Sequence, residues 1–202
     1  MKRLWLALLL IVLTACSPGA AGDKMNSPDK ASTIPDKAST SALPDLGLAP
    51  ELQNSVWLNT PAPLHLSDLR GKVVGIEMWT FACINCQHVM PYLKGWYAKY
   101  KEQGFVLIGN HFPEFGYEAD LNNLKKAVAE DGILYPVTQD NDGETWDAYK
   151  NSYWPSLYLI DKRGHIRYVH IGEGAYGEIE SNIRSLLAEA YPGSGADEPP
   201  NN

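Results

Sequence analysis

Apolar residues along this chain change their spacing several times, and each change marks a different kind of segment. Leu4 to Leu13 is unbroken apolar sequence. From Ser17 to about Pro50 apolar positions thin out among Ser, Pro, Ala, Asp, Lys, Gly and Thr. Within that stretch Ser27-Pro28-Asp29-Lys30-Ala31-Ser32-Thr33 is nearly repeated by Ile34-Pro35-Asp36-Lys37-Ala38-Ser39-Thr40. Beyond it the pattern is that of a folded domain. Val56-Trp57-Leu58-Asn59 and Leu64-His65-Leu66 read as two short strands around Thr60-Pro61-Ala62-Pro63, with Ser67 to Gly71 as a turn. Lys72 to Trp79 is almost continuously apolar, as a strand covered on both faces should be, and Glu77 is its one exception. Cys86 to about Glu102 carries Val89, Leu93, Trp96, Tyr97 and Tyr100 at helical spacing. Pro91 should kink that helix, and Gly104 ends it.

Phe105 to Gly109 is a second buried strand, so strand, helix and strand make a right-handed βαβ unit. His111 to Gly116 reads as a loop. Leu121, Leu124 and Val128 mark a second helix closed by Gly132. Tyr135 to Thr138 is a short extended piece, and Asn141-Asp142-Gly143 turns into a brief helix around Trp146 and Tyr149. Ser156 to Ile160 and His165 to Ile171 form a hairpin about Asp161-Lys162-Arg163-Gly164. Ile179, Ile183, Leu186, Leu187 and Ala190 define a last helix. The order β-α-β-α-β-β-α predicts an α/β fold: a central mixed sheet with flanking helices, an N-terminal strand extension and a central insertion.

These patterns divide the chain into a leader (1–15), a disordered tether (16–50), one domain (51–191) and a loose tail (192–202). About 140 of the 202 residues remain for the domain, enough for one core. Met1-Lys2-Arg3 followed by a short apolar run and small residues has the form of a signal peptide. The tether is too polar to bury anything and should reach about 30 Å. Composition, with 45% hydrophobic and 20% charged residues, is that of an ordinary soluble protein. The formal charge of −7 becomes −9 once Lys2 and Arg3 leave with the leader. That balance excludes nucleic acid as a partner, because phosphate binding needs a basic face.

Two of the three cysteines, Cys83 and Cys86, are spaced C-x-x-C between the apolar strand and the helix. That placement reads as a thioredoxin-like redox centre. It puts the first sulfur near the free N–H groups and positive end of a helix, which favour the attacking thiolate. Cys83 is then the nucleophile and Cys86 the more buried resolving thiol, working through a mixed disulfide. A static disulfide across so small a loop would add little stability. Zinc would need a second ligand pair, and His88 lies one residue too far along for C-x-x-C-H haem attachment; no cofactor is expected. Glu77, six residues before Cys83 on a buried strand, should have a raised pKa and can take the proton of Cys86. Trp79 should pack beside the dithiol and Phe81 offers a contact for a substrate chain. His111 and Glu114 read as members of a solvated loop at the sheet end where α/β ligands gather.

Several motifs carry a family resemblance. Asp68 to Val74, Trp79 to Cys86, Met90-Pro91-Tyr92-Leu93, Pro113-Glu114-Phe115, Tyr153-Trp154-Pro155 and Tyr158 to Asp161 together resemble thioredoxin-like proteins of the TlpA/ResA type. They are most similar to the C-terminal thioredoxin domain of DipZ-like proteins. The resemblance covers about residues 50–190. It implies a thioredoxin fold, a cis bond at Trp154-Pro155 and a thiol–disulfide oxidoreductase outside the cytoplasm. Pro155 would then expose neighbouring backbone to a substrate strand. It also implies protein disulfides as substrates, apocytochromes before haem attachment among them. Thioredoxins carry Asp where this chain has Glu77. The membrane electron-relay domain of DipZ has no counterpart in this sequence, so a separate membrane electron-donor protein is expected.

Leu13-Thr14-Ala15-Cys16 resembles the bacterial lipobox, which implies a lipid on Cys16 and a monomer held at the periplasmic side of a membrane. Ser17 in place of Asp leans toward the outer one. Two other functions remain at this point. Thr80-Phe81-Ala82-Cys83 resembles the peroxidatic Thr-x-x-Cys of peroxiredoxins, which implies a thiol peroxidase. Cys83, Cys86 and a histidine such as His111 could instead deliver copper.

Overall fold

Alternation along the buried strands sorts the core onto the two faces of one sheet. The computed structural model describes residues 43–191. In β2 (Val73–Trp79), Val73, Glu77 and Trp79 point to one face and Val74, Ile76 and Met78 to the other. All seven residues are buried, as a strand with helices on both sides requires. Its neighbour β3 (Phe105–His111) runs parallel, with Glu77 opposite Gly109 and Trp79 opposite His111. Gly109 is glycine for a local reason: a Cβ there would stand 2.8 Å from Nε1 of Trp79.

The sheet has six strands. At one edge β1 (Val56–Leu58) pairs antiparallel with β4 (Val137–Gln139), which runs parallel to β3. On the other side β2 pairs antiparallel with β5 (Ser156–Ile160), and β6 (Ile166–Ile171) completes the hairpin. The spatial order is β1-β4-β3-β2-β5-β6. Helix α1 (Ile84–Tyr100) continues through Pro91. It packs Val89, Leu93 and Trp96 on the Glu77 face, together with Ile179, Ile183 and Leu186 of α4 (Tyr176–Ala188). Leu124 and Val128 of α2 (Leu121–Glu130) join the same cluster. The opposite face is covered by Leu52, Leu66, Tyr149 and Trp146, the last on α3 (Glu144–Ala148). The expected α/β architecture is therefore present.

Three expectations are corrected. Leu64-His65-Leu66 is not a strand; a 3-10 turn spans Leu66–Leu69 instead. The Glu51 carboxylate accepts the Leu66 and Ser67 N–H groups at 2.6 and 3.1 Å, taking the donors a ladder would need. The segment before residue 51 is not all tether. Residues 43–49 lie against β6, with Leu46 N–H donating to Ile166 O, Ile166 N–H to Gly47 O and Ala49 N–H to Gly164 O, each at 2.9 Å. Arg167 donates to the carbonyls of Leu43 and Pro44. This contact covers the free edge of β6. The third correction, at His111, belongs to the site. Residues 1–42 and 192–202 lie outside the described residues, and with them Cys16, the leader, most of the tether and the tail. Among the described residues no helix is long and apolar enough to cross a membrane.

Candidate active site

The C-terminal ends of β2 and β3 converge where α1 begins. Cys83 is the N-cap of α1, and its Sγ accepts the Cys86 N–H at 3.4 Å. An N–H aimed at sulfur from a helix N-terminus is the contact that a developing thiolate needs. Both cysteines are free thiols; Cys83 is half-buried and Cys86 is 2% exposed. Burial pushes the Cys86 thiol far above its ordinary pKa, and the nearby Glu77 carboxylate adds to the shift. Cys83 can therefore meet a partner in solvent, whereas Cys86 needs a local base before it can attack.

Glu77 is the carboxyl whose charge reaches Cys86. It is 2% exposed, and its Oε1 is buried without a hydrogen-bond partner. Desolvation raises its pKa to about 8. It is thus a buried carboxyl on the α1 face of the sheet and not a solvated surface carboxylate. Pro155 follows a cis Trp154-Pro155 bond. Since Ser156 is opposite Met78, Pro155 lies at the same end of the sheet as the dithiol. Trp79 is buried, as expected, with its ring edge-on to His111 at 5.3 Å. Phe81 is half-buried and stacks on His111 at 5.3 Å and 15°. It also meets Tyr117, which is stacked with Phe115; both are exposed.

His111 is the third correction. It is the last residue of β3, fully buried, while Glu114 is exposed as expected. The strand runs two residues further than its apolar run because Asn110 and His111 find buried partners. Thr80 Oγ1 donates to Glu118 Oε1 and stands 3.3 Å from His111 Nε2. A carboxylate can only accept, so the Thr80 hydroxyl gives its proton to Glu118 and accepts from His111 Nε2–H. Burial holds the His111 pKa down to about 4, against the pull of the Glu118 charge, so the ring is neutral at pH 7.

Glu118 is a site residue that sequence reasoning missed. It is fully buried. Besides Thr80 it accepts the N–H of Ala82 at 3.0 Å and those of Glu114 and Phe115 at 2.8 Å each. Burial alone would raise its pKa, but hydrogen bonds from Thr80, Phe115, Ala82 and Glu114 outweigh it and hold the carboxyl below its usual range. Glu118 thereby ties Thr80 and Ala82, just before Cys83, to the loop after β3. Its segment, Gly116-Tyr117-Glu118-Ala119, is polar, short and aperiodic, and only its closeness to Pro113-Glu114-Phe115 hinted at a role. Glu118→Ala should strand four donors at once and destabilise the domain by about 3–5 kcal/mol in urea unfolding. Glu118→Gln, which keeps one acceptor, should cost less.

The site is thus a dithiol at the end of a parallel strand, capping a helix, with a buried carboxyl on the same strand. The AhpC/TSA family profile matches residues 43–169. The chain belongs to the AhpC/TSA family. It is 46% identical over 154 residues to Protein DipZ of Mycobacterium tuberculosis, a match that takes in 75% of this chain and 22% of DipZ. The chain thus spans about a fifth of the length of that relative. It is 30% identical to the thiol-disulfide oxidoreductase YkuV of Bacillus subtilis, covering 69% of this chain and 94% of YkuV. Among solved structures, the thioredoxin-like superfamily protein SPOA0173 superposes with a TM-score of 0.68 at 36% identity, covering 72% of this chain and 99% of that one. A thiol-disulfide isomerase from Corynebacterium glutamicum gives 0.62 at 29%, covering 70% and 98%. The fold is thioredoxin-like, and residues 43–191 form a thiol–disulfide oxidoreductase domain.

Proposed function

We propose that this protein is a lipid-anchored, extracytoplasmic reductant of disulfides in secreted proteins, with apocytochromes among its candidate substrates and a separate membrane protein as its electron donor. The observation that carries the chemistry is the pairing of a half-exposed Cys83 with a buried Cys86 on the face of the sheet that holds Glu77. In the forward step the Cys83 thiolate attacks a substrate disulfide and the first substrate sulfur leaves. Cys86 gives its proton to the Glu77 carboxylate and attacks Cys83 Sγ. The mixed disulfide breaks, the second substrate sulfur leaves as a thiolate that takes its proton from solvent, and Cys83–Cys86 forms. The substrate gains the two electrons that the dithiol loses. Pro155 supplies the neighbouring edge along which an extended substrate can lie. The lipobox at Cys16 and the charged, apolar leader support the placement outside the cytoplasm.

The peroxidase alternative asks Thr80 to meet a peroxide at Cys83. Its hydroxyl is fully buried and held between Glu118 and His111. The copper alternative asks for His111, whose Nε2 is bonded to that same hydroxyl. Both residues are fully buried and closed to a ligand arriving from solvent.

The equilibrium reduction potential of Cys83–Cys86, read by tryptophan fluorescence in dithiothreitol buffers, tests the direction of electron flow. A value at or below about −250 mV is expected. A value near about −120 mV would make the protein an oxidant, and absence of a reversible dithiol transition would overturn the redox reading.

A further inference from the structure

Glu77 must exchange its proton with solvent in every cycle. With a pKa of about 8 it is mostly protonated at pH 7. It has to shed that proton before it can receive the one from Cys86. It also has to reload when the disulfide is reduced again. Cys86 is closed to solvent, and the buried Tyr135, which faces Glu77 from the β3 side, has its own phenol pushed above the ordinary range by burial. Neither provides an exit.

The sheet register offers another route. Glu77 is opposite Leu157, and Leu157 is opposite His170. In antiparallel pairs opposite residues share a face, so Glu77, Leu157 and His170 form one row under α1 and α4. Along that row runs a cavity of about 10 Å³, whose lining includes Glu77, Leu157, His170, Tyr176 and the two glycines Gly172 and Gly174, with apolar side chains of α1 and α4 making up the rest. This is room for about one water. Glu77, whose Oε1 is buried without a hydrogen-bond partner, is one of the lining residues. At the outer end His170 is half-buried. The loop beside it carries Gly172 and Gly174, where an added Cβ would meet nothing within 4 Å. His170 Nε2 lies 3.3 Å from the Glu173 carbonyl. A carbonyl only accepts, so Nε2 carries the hydrogen and Nδ1 keeps a lone pair. Near His170 stand Glu173, whose carboxylate is bonded to His88, Tyr168, whose ring stacks on His170 and whose phenol is bonded to Glu178, and the phenol of Tyr176.

We infer that His170 is the proton relay of the dithiol, passing protons between solvent and Glu77 through one water in the cavity under Leu157. This rests on Glu77 being the proton acceptor for Cys86. On oxidation the Cys86 proton moves to the Glu77 carboxylate, then through water to His170 Nδ1, and the imidazolium releases a proton to bulk. On reduction the same atoms carry it inward. His170 touches neither substrate nor sulfur; it acts through Glu77.

The test separates the two attacks. Reduced protein is mixed with a substoichiometric aromatic disulfide that releases a coloured aryl thiolate. The first release reports attack by Cys83, and the second reports attack by Cys86. At pH 7 in dilute buffer His170→Ala should slow the second phase about tenfold relative to the first. Added imidazole, at constant ionic strength, should restore it. A second phase that is not slowed, or one that is slowed but does not respond to imidazole, would overturn the relay. Glu77→Gln is measured alongside. If it leaves the second phase unchanged, the acceptor role of Glu77 falls and the relay with it. If Glu77→Gln is slow while His170→Ala is not, only the relay falls.

Discussion

Cys86→Ser is expected to accumulate mixed disulfides between Cys83 and its targets, whereas Cys83→Ser should lose exchange down to the uncatalysed background. The asymmetry follows from exposure. Cys83 is half-buried at the N-cap of α1 and can be reached by a protein disulfide. Cys86 lies one turn inward and is closed to solvent. Without Cys83 no thiol among the described residues faces the substrate. Without Cys86 the first attack still proceeds, and nothing within reach displaces the partner. Non-reducing electrophoresis after mixing with a disulfide-bonded protein reads both outcomes. Adducts that form equally with Cys83→Ser would mean that Cys86 is accessible, against its burial. Failure of Cys86→Ser to hold any adduct would count against the exchange mechanism itself.

Glu77→Gln should slow resolution and stabilise the fold. As the proposed proton acceptor in the resolving step, Glu77 should contribute about 10²-fold, and Gln cannot take a proton. The wild-type rate of resolution should rise as pH approaches about 8, where the carboxylate becomes populated, and the Gln variant should lack that rise. Stability moves the other way. The folded-state pKa of about 8 stands above the ordinary 4.5. Between those values the folded state holds a proton that the unfolded chain has lost. The stabilising contribution of that proton is complete below pH 4.5 and gone above pH 8, so stability falls as pH rises through this window. Each pH unit is worth about 1.4 kcal/mol, so the full effect is a few kcal/mol. Urea unfolding at pH 5 and pH 8.5 should show Glu77→Gln gaining on the wild type at the higher pH. Equal pH dependence in both proteins would place the Glu77 carboxyl in contact with solvent.

The sequence makes β2, β3, the hairpin and the dithiol readable because each rests on a strong local signal. Continuous apolar runs dictate strands covered on both faces, and C-x-x-C at a strand–helix junction fixes the chemistry. Glu77 is legible for the same reason: a lone carboxyl in such a run has nowhere to go but inside. Failures occur where polar residues are buried by tertiary partners. His111 reads as a solvated loop because histidine after an apolar run usually ends a strand, yet Thr80 and Glu118 receive it inside. Glu118 itself gives no periodic signal, since its value lies in four donors from two separate stretches. Leu64-His65-Leu66 alternates like a strand, but the donors it would lend to a sheet go to Glu51. Residues 43–49 look like more of the polar stretch before them. Their contacts with β6 are made by backbone, which composition cannot announce.

Those same contacts give the domain a handle and a working end. Residues 44–49 run beside the turn of the β5–β6 hairpin, whereas the dithiol sits where β2 ends, with Ile171 and Pro155 at that same end of the sheet. The two ends are separated by the length of a seven-residue strand, about 20 Å. The described chain therefore begins at the pole opposite Cys83. Holding the domain by its first residues leaves the reactive thiol facing outward, clear of whatever does the holding.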